Sequence, residues 1–106
     1  MRHISPSLLA ADFGNLQREC EMINNSSAEY LHIDVMDGVF VPNISFGFPV
    51  MKAVSKHCNK PLDVHLMITH PEKYVERFCD AGAWSVGFHI EAVDDPMPAI
   101  ELIRNK

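Results

Sequence analysis

A length of 106 residues suits one small domain, and 47% hydrophobic with 22% charged residues is a globular composition with material for a modest core. Nine basic residues against 14 acidic ones leave a net charge of -5, with no basic run and no basic–aromatic interleaving, which argues against a nucleic-acid partner. No apolar stretch approaches the ~20 residues that span a bilayer, and residues 1–6 hold no signal-peptide core, so neither a membrane partner nor export is expected.

The chain reads as strand and helix in alternation. A β-rich run covers 3–9. Phe13, Leu16, Cys20 and Ile23 then recur at helical spacing, with Asp12 placed to cap them. A second strand is expected at 30–36. Val50, Met51, Val54 and Cys58 form the next helical stripe, behind a Pro49 that suits a first turn. A third strand follows at 62–68. Tyr74, Val75 and Phe78 come after Pro71; Thr69 and Glu72 have capping-box spacing, and Gly82 stands where a C-terminal cap belongs. The fourth strand is expected at 85–90. A last helix would start near Asp95 and Pro96, bury Ile100 and Ile103, and stop at Lys106 without a cap. Cys20, Cys58 and Cys79 form no CxxC pair and fall in helical segments, so buried free thiols in a reducing cytoplasm are expected.

Such alternation argues for a parallel sheet with right-handed crossovers. Parallel strands covered on both faces usually read as unbroken apolar runs. These do not. Side chains alternate along a strand, so Leu31, Ile33 and Val35 oppose His32, Asp34 and Met36. Val64, Leu66 and Ile68 oppose Asp63, His65 and Met67, while Val86, Phe88 and Ile90 oppose Gly87, His89 and Glu91. Ser5 and Ser7 share a face of the first run. One face can receive helices; the other collects His, Asp, Glu, Ser and Met. That suits the wall of a (β/α)₈ barrel, whose active site lies at the C-terminal strand ends. A whole barrel takes ~250 residues and eight strands, so residues 1–106 are expected to be four βα units, the N-terminal half of a single barrel domain with no second domain.

His32 and Asp34 lie two apart on one strand, with Cα atoms ~7 Å apart. His65 has the equivalent face of the next. Two imidazoles and a carboxylate facing one cavity can hold a divalent metal such as Zn, Fe, Mn or Co, and a carboxylate beside a metal can move a proton. The HxD spacing alone also fits a satisfied hydrogen-bonding pair; alignment with His65 favours the metal. Met36 and Met67 lie two residues beyond Asp34 and His65, either filling the barrel or capping a reactive carbon against water. Ser7 is a turn or cap residue, or a substrate contact. Asp37 is expected to start a turn. His89 and Glu91 are expected to serve structural hydrogen bonds, and His3, His57 and His70 to lie at the surface or at helix ends.

Five stretches together resemble ribulose-phosphate 3-epimerases: Ser5-Pro6-Ser7-Leu8-Leu9-Ala10-Ala11-Asp12, His32-Ile33-Asp34-Val35-Met36-Asp37-Gly38, Phe40-Val41-Pro42-Asn43, Asp63-Val64-His65-Leu66-Met67 and Phe88-His89-Ile90-Glu91. The resemblance runs in order over essentially the whole chain. It implies an α/β TIM (β/α)₈ barrel of the ribulose-phosphate-binding type, cytoplasmic carbohydrate metabolism in the pentose phosphate pathway, and a homo-oligomer. It implies one divalent metal ion held by His32, Asp34 and His65, with Asp34 doubling as a catalytic acid/base. Ser7 and His65 would contact the sugar phosphate, and Met36 and Met67 would line the cap over it. The implied reaction epimerises D-ribulose 5-phosphate at C3 through an enediolate, with one carboxylate on each side.

The resemblance also places a fourth ligand, the second acid and the phosphate-binding loops in a second half, so the chain is expected to be a truncation that is inactive alone. Two alternatives stay open. One is epimerisation of another ketose phosphate, such as allulose 6-phosphate. The other is a non-catalytic half-barrel that binds metal or self-associates through its open edges. A related decarboxylase would resemble Asp-x-Lys-x-x-Asp, whereas Met36 stands two after Asp34.

Overall fold

A computed structural model describes residues 6–104. Among them, three strands form one parallel sheet in the order β1 (Leu31–Met36), β2 (Leu62–Met67), β3 (Ser85–Phe88). Helices α1 (Leu16–Asn24), α2 (Phe48–His57), α3 (Val75–Asp80) and α4 (Met97–Arg104) alternate with them. The expected alternation of faces holds in β1 and β2, where every second residue is buried. Ile33, Val64 and Leu66 are fully buried, beside Met51 and Val54 of α2 and Val75 of α3. Removing each such aliphatic side chain from water is worth about 1.5–3 kcal/mol. This layer orients the opposite face, because alternation leaves His32, Asp34, Met36, Asp63, His65 and Met67 no other side.

Several boundaries differ from the expectation. Part of the 3–9 run lies outside the described residues. Within it, Ser7 bridges His32 in parallel and Pro6 O accepts from His32 N at 2.8 Å, but Leu8–Ala10 then turn into a 3-10 helix. Asp12 does cap, accepting from Gly14 N at 3.0 Å, yet it caps a short 3-10 turn that leaves Phe13 48% exposed. The last strand stops at Phe88 rather than 90. His89 heads a 3-10 turn over Ile90–Ala92, and Ile90, past the end of the ladder, is 68% exposed. Helix α4 buries Ala99, while Ile100 and Ile103 are only half-buried along an open groove beside β3. Cys20 is buried, but Cys58 and Cys79 only partly so, and none of the three is in a disulfide.

The Thr69–Glu72 capping box does not form. His70 adopts a left-handed φ of 51° before Pro71, which takes the chain out of capping register, and the Thr69 side chain turns instead to Asp37. Gly82 behaves as expected. Its φ of 114° closes α3, with Gly82 N bonding Cys79 O at 3.2 Å and Ala83 N bonding Phe78 O at 3.1 Å.

Candidate metal centre

The parallel register sets Asp34 opposite His65 and His32 opposite Asp63. One β1 tripeptide and one β2 tripeptide therefore present four polar groups on one patch. His32 Nε2 lies 2.7 Å from Asp34 Oδ1, and His65 Nδ1 lies 3.6 Å from the same oxygen. One ligand atom each from His32, Asp34 and His65 falls within 4.8 Å of the others. Tetrahedral ligands at ~2.0–2.1 Å from a metal stand roughly 3.3 Å apart, so around an ion His32 and Asp34 would part slightly from 2.7 Å while His65 closes in from 3.6 Å. Their chemistry suits a divalent transition metal: two borderline nitrogen donors and one anionic oxygen.

Exposure is graded. The Asp34 side chain is 14% exposed, His32 26% and His65 35%. Burial first, then the neighbouring His89, pulls the His65 pKa below the usual histidine value, partly offset by Asp34. That favours the neutral imidazole, the form that ligates. Ser7 takes the cap role considered for it, its Oγ accepting from Leu9 N at 3.3 Å, and the same hydroxyl donates to Asp34 Oδ2 at 3.0 Å. Asp34 thus has Oδ1 turned to the imidazoles and Oδ2 held by Ser7. Met36 and Met67 are register partners, half-buried, one step further along the strands.

The loop after β1 is pinned at two points. Ser45 Oγ donates to Asp34 O at 2.7 Å and accepts from Met36 N at 2.9 Å. Asp37 does start a turn, accepting from Val39 N and Phe40 N at 2.9 Å each. Its second oxygen also accepts from Thr69 N at 2.8 Å and Thr69 Oγ at 3.0 Å, tying the β1 loop to the end of β2. Desolvation opposes the charge, but these four bonds outweigh it and hold the carboxylate well below its usual pKa range.

His57 ends α2 and His70 is exposed, 3.4 Å from Glu72 Oε1, both as expected for helix-end and surface residues; His3 lies outside the described residues. Sequence reasoning missed two contacts. Asp63 Oδ2 lies 3.1 Å from His32 Nδ1, and His89 Nε2 lies 2.9 Å from His65 Nε2. Alternation put both residues on the inner face, but only the strand register shows which histidine each one meets.

A sequence model of the ribulose-phosphate 3-epimerase family matches residues 3–106. Curated relatives with that name include one from Eremothecium gossypii, 43% identical over 97% of this chain and 48% of its own length. Another, from Mycobacterium leprae, is 45% identical over 95% of this chain and 44% of its own. A rice relative named as the cytoplasmic isoform is 47% identical over 87% of this chain and 40% of its own. The fold and the polar strand face define an α/β protein with a candidate His/Asp metal centre, consistent with part of a TIM barrel. The chain belongs to the ribulose-phosphate 3-epimerase family, and it spans somewhat less than half the length of these relatives. Among the described residues, no helix is long and apolar enough to cross a membrane.

Proposed function

We propose that this chain supplies the metal-binding side of an epimerase active site that inverts C3 of D-ribulose 5-phosphate to give D-xylulose 5-phosphate. The observation that carries the reading is the convergence of His32, Asp34 and His65 on one point, in a chain whose family is named for that reaction. His32, Asp34 and His65 would hold one divalent ion. When bound, it would polarise the C2 carbonyl and stabilise charge on the enediolate oxygens. Asp34 Oδ2, turned from the imidazoles and steadied by Ser7, takes the proton from C3. The C3–H electron pair passes into the C2–C3 bond as charge moves to the carbonyl oxygen. A second acid returns a proton to the opposite face, since inversion through a planar intermediate needs a donor on each side. The family resemblance puts that acid and the phosphate loops outside residues 1–106. Met36 and Met67 exclude water above the reactive carbon. A cytoplasmic location and a homo-oligomer belong to the same proposal.

A proton NMR time course of ribulose 5-phosphate in D₂O, with this chain and added Zn²⁺, Mn²⁺ or Co²⁺, tests it. C3 exchange above the no-protein rate, lost in Asp34→Asn, supports the base. Exchange unchanged in Asp34→Asn sinks that assignment. Turnover to xylulose 5-phosphate by residues 1–106 alone is expected to be negligible, because the family resemblance places the second acid outside them. Allulose 6-phosphate run alongside separates the two ketose phosphates.

A second reading rests on β3, which among the described residues pairs only with β2 and borders a groove of Val86, Phe88, Ile100 and Ile103. Self-association there would make the chain a half-barrel that pairs with a second copy. Sedimentation as a folded monomer would exclude it.

A further inference from the structure

We infer that Asp63 and His89 are positioning residues that fix which nitrogen each metal-binding histidine offers to the ion. The inference rests on the metal reading above and adds the outer layer of that site. A neutral imidazole has one N–H and one lone pair, and the partner of one nitrogen decides which of the two is free. Ligating histidines characteristically donate their other N–H to an acceptor, which fixes ring orientation and raises basicity.

Both rings follow this pattern. Asp63 Oδ2 lies 3.1 Å from His32 Nδ1, so the carboxylate can hold the Nδ1 proton when Nε2 is given to an ion. That Nε2 lies 2.7 Å from Asp34 Oδ1, where it donates until an ion takes the place of its proton. His89 Nε2 lies 2.9 Å from His65 Nε2. With His89 as acceptor, the His65 proton sits on Nε2 and Nδ1 is bare, 3.6 Å from that same Asp34 oxygen. The nitrogens turned away from Asp63 and His89 therefore converge from two strands on one carboxylate oxygen. His89 accepts there when its own proton is on Nδ1, the side on which Glu91 Oε2 lies 3.8 Å away. Its ring is held between His65, at 4.8 Å between centroids, and Phe40, at 5.2 Å. Gly87, the register partner of His65, adds no side chain between them, and open space stands where its Cβ would be.

Register explains the assignment. Asp63 faces His32 because the two are paired across β1 and β2. His89 reaches His65 because it follows directly after the end of β3. With Ser7 on Asp34, each of the three ligands has one outer partner, and each partner comes from a different segment of the chain.

The test uses this chain labelled with ¹⁵N-histidine and loaded with ¹¹³Cd²⁺, whose coupling to nitrogen identifies the bound atom. Binding through His32 Nε2 and His65 Nδ1 is expected. Competition against a chromophoric chelator then gives affinity. Asp63→Ala and His89→Ala should each weaken Cd²⁺ and Zn²⁺ binding by about 10-fold or more. Asp63→Asn and His89→Gln, which keep an acceptor, should recover part of that loss. They also serve as the folded comparison should an alanine variant unfold. A purely structural role would lower the thermal midpoint and leave affinity and bound nitrogen unchanged, and would overturn the inference. So would binding through the opposite nitrogens. Wild-type protein that takes up no metal would sink the metal reading and this inference together. Wild-type binding matched by every variant would sink this inference alone.

Discussion

Asp37→Asn isolates one clamp with almost no change in shape. Oδ1 accepts from Val39 N and Phe40 N, and Oδ2 accepts from Thr69 N and Oγ, all at 2.8–3.0 Å. Asparagine keeps one oxygen and gains an NH₂ that can only donate. Whichever way the amide is turned, one pair of donors faces another donor. Hydrogen bonds to a charged group are worth about 1.5–3 kcal/mol each. Losing the better-buried Thr69 pair, less partial rehydration, predicts a cost of about 3 kcal/mol at pH 7. The pH dependence has a definite sign. The folded-state pKa is depressed, so the stabilisation is complete above the ordinary aspartate value of ~3.9 and fades as pH falls below it. Urea unfolding of both proteins from pH 7 to pH 3 checks this. The gap should be widest at pH 7 and shrink below about pH 4. A gap under about 0.5 kcal/mol at pH 7, or one constant with pH, would refute the reasoning.

Gly82→Ala should cost about 2 kcal/mol, because alanine is strained at φ 114° and its Cβ would run into Ser55 Oγ. Adding Ser55→Ala should restore only part of the thermal midpoint, since the backbone strain remains. Leu66→Ala, at a fully buried position of β2, should lower urea stability by about 2–5 kcal/mol through the cavity it leaves. The Cys20 thiol, 1% exposed and pushed up by burial to about 11, should resist alkylation at pH 8 in the folded protein and react promptly in urea. Prompt labelling of the folded protein would show that α1 opens locally.

Much of the site was legible because strand alternation is a property of the backbone alone. Period two separates Leu31, Ile33 and Val35 from His32, Asp34 and Met36 whatever lies around them, and the aliphatic set must go to the helices. The boundaries that failed depend on neighbours. Ile90 was counted as a strand residue for its side chain, but the ladder to β2 ends at Phe88, so it stands exposed in a turn. Thr69 and Glu72 had the spacing of a cap, yet Asp37, 32 residues away from Thr69, offered its hydroxyl a charged partner. No local pattern contains that competitor.

From the sequence alone came the strand faces, the helix-covered layer and the grouping of His32, Asp34 and His65, because each rests on periodicity or motif. Tertiary structure alone decided the pairings. The zero-offset parallel register sets Asp63 against His32 and Asp34 against His65, and the end of β3 brings His89 to the far nitrogen of the His65 ring. A shift of one residue between β1 and β2 would turn one polar set away from the other without changing a letter of the sequence, which is why the chemistry of each nitrogen could be read only from the folded sheet.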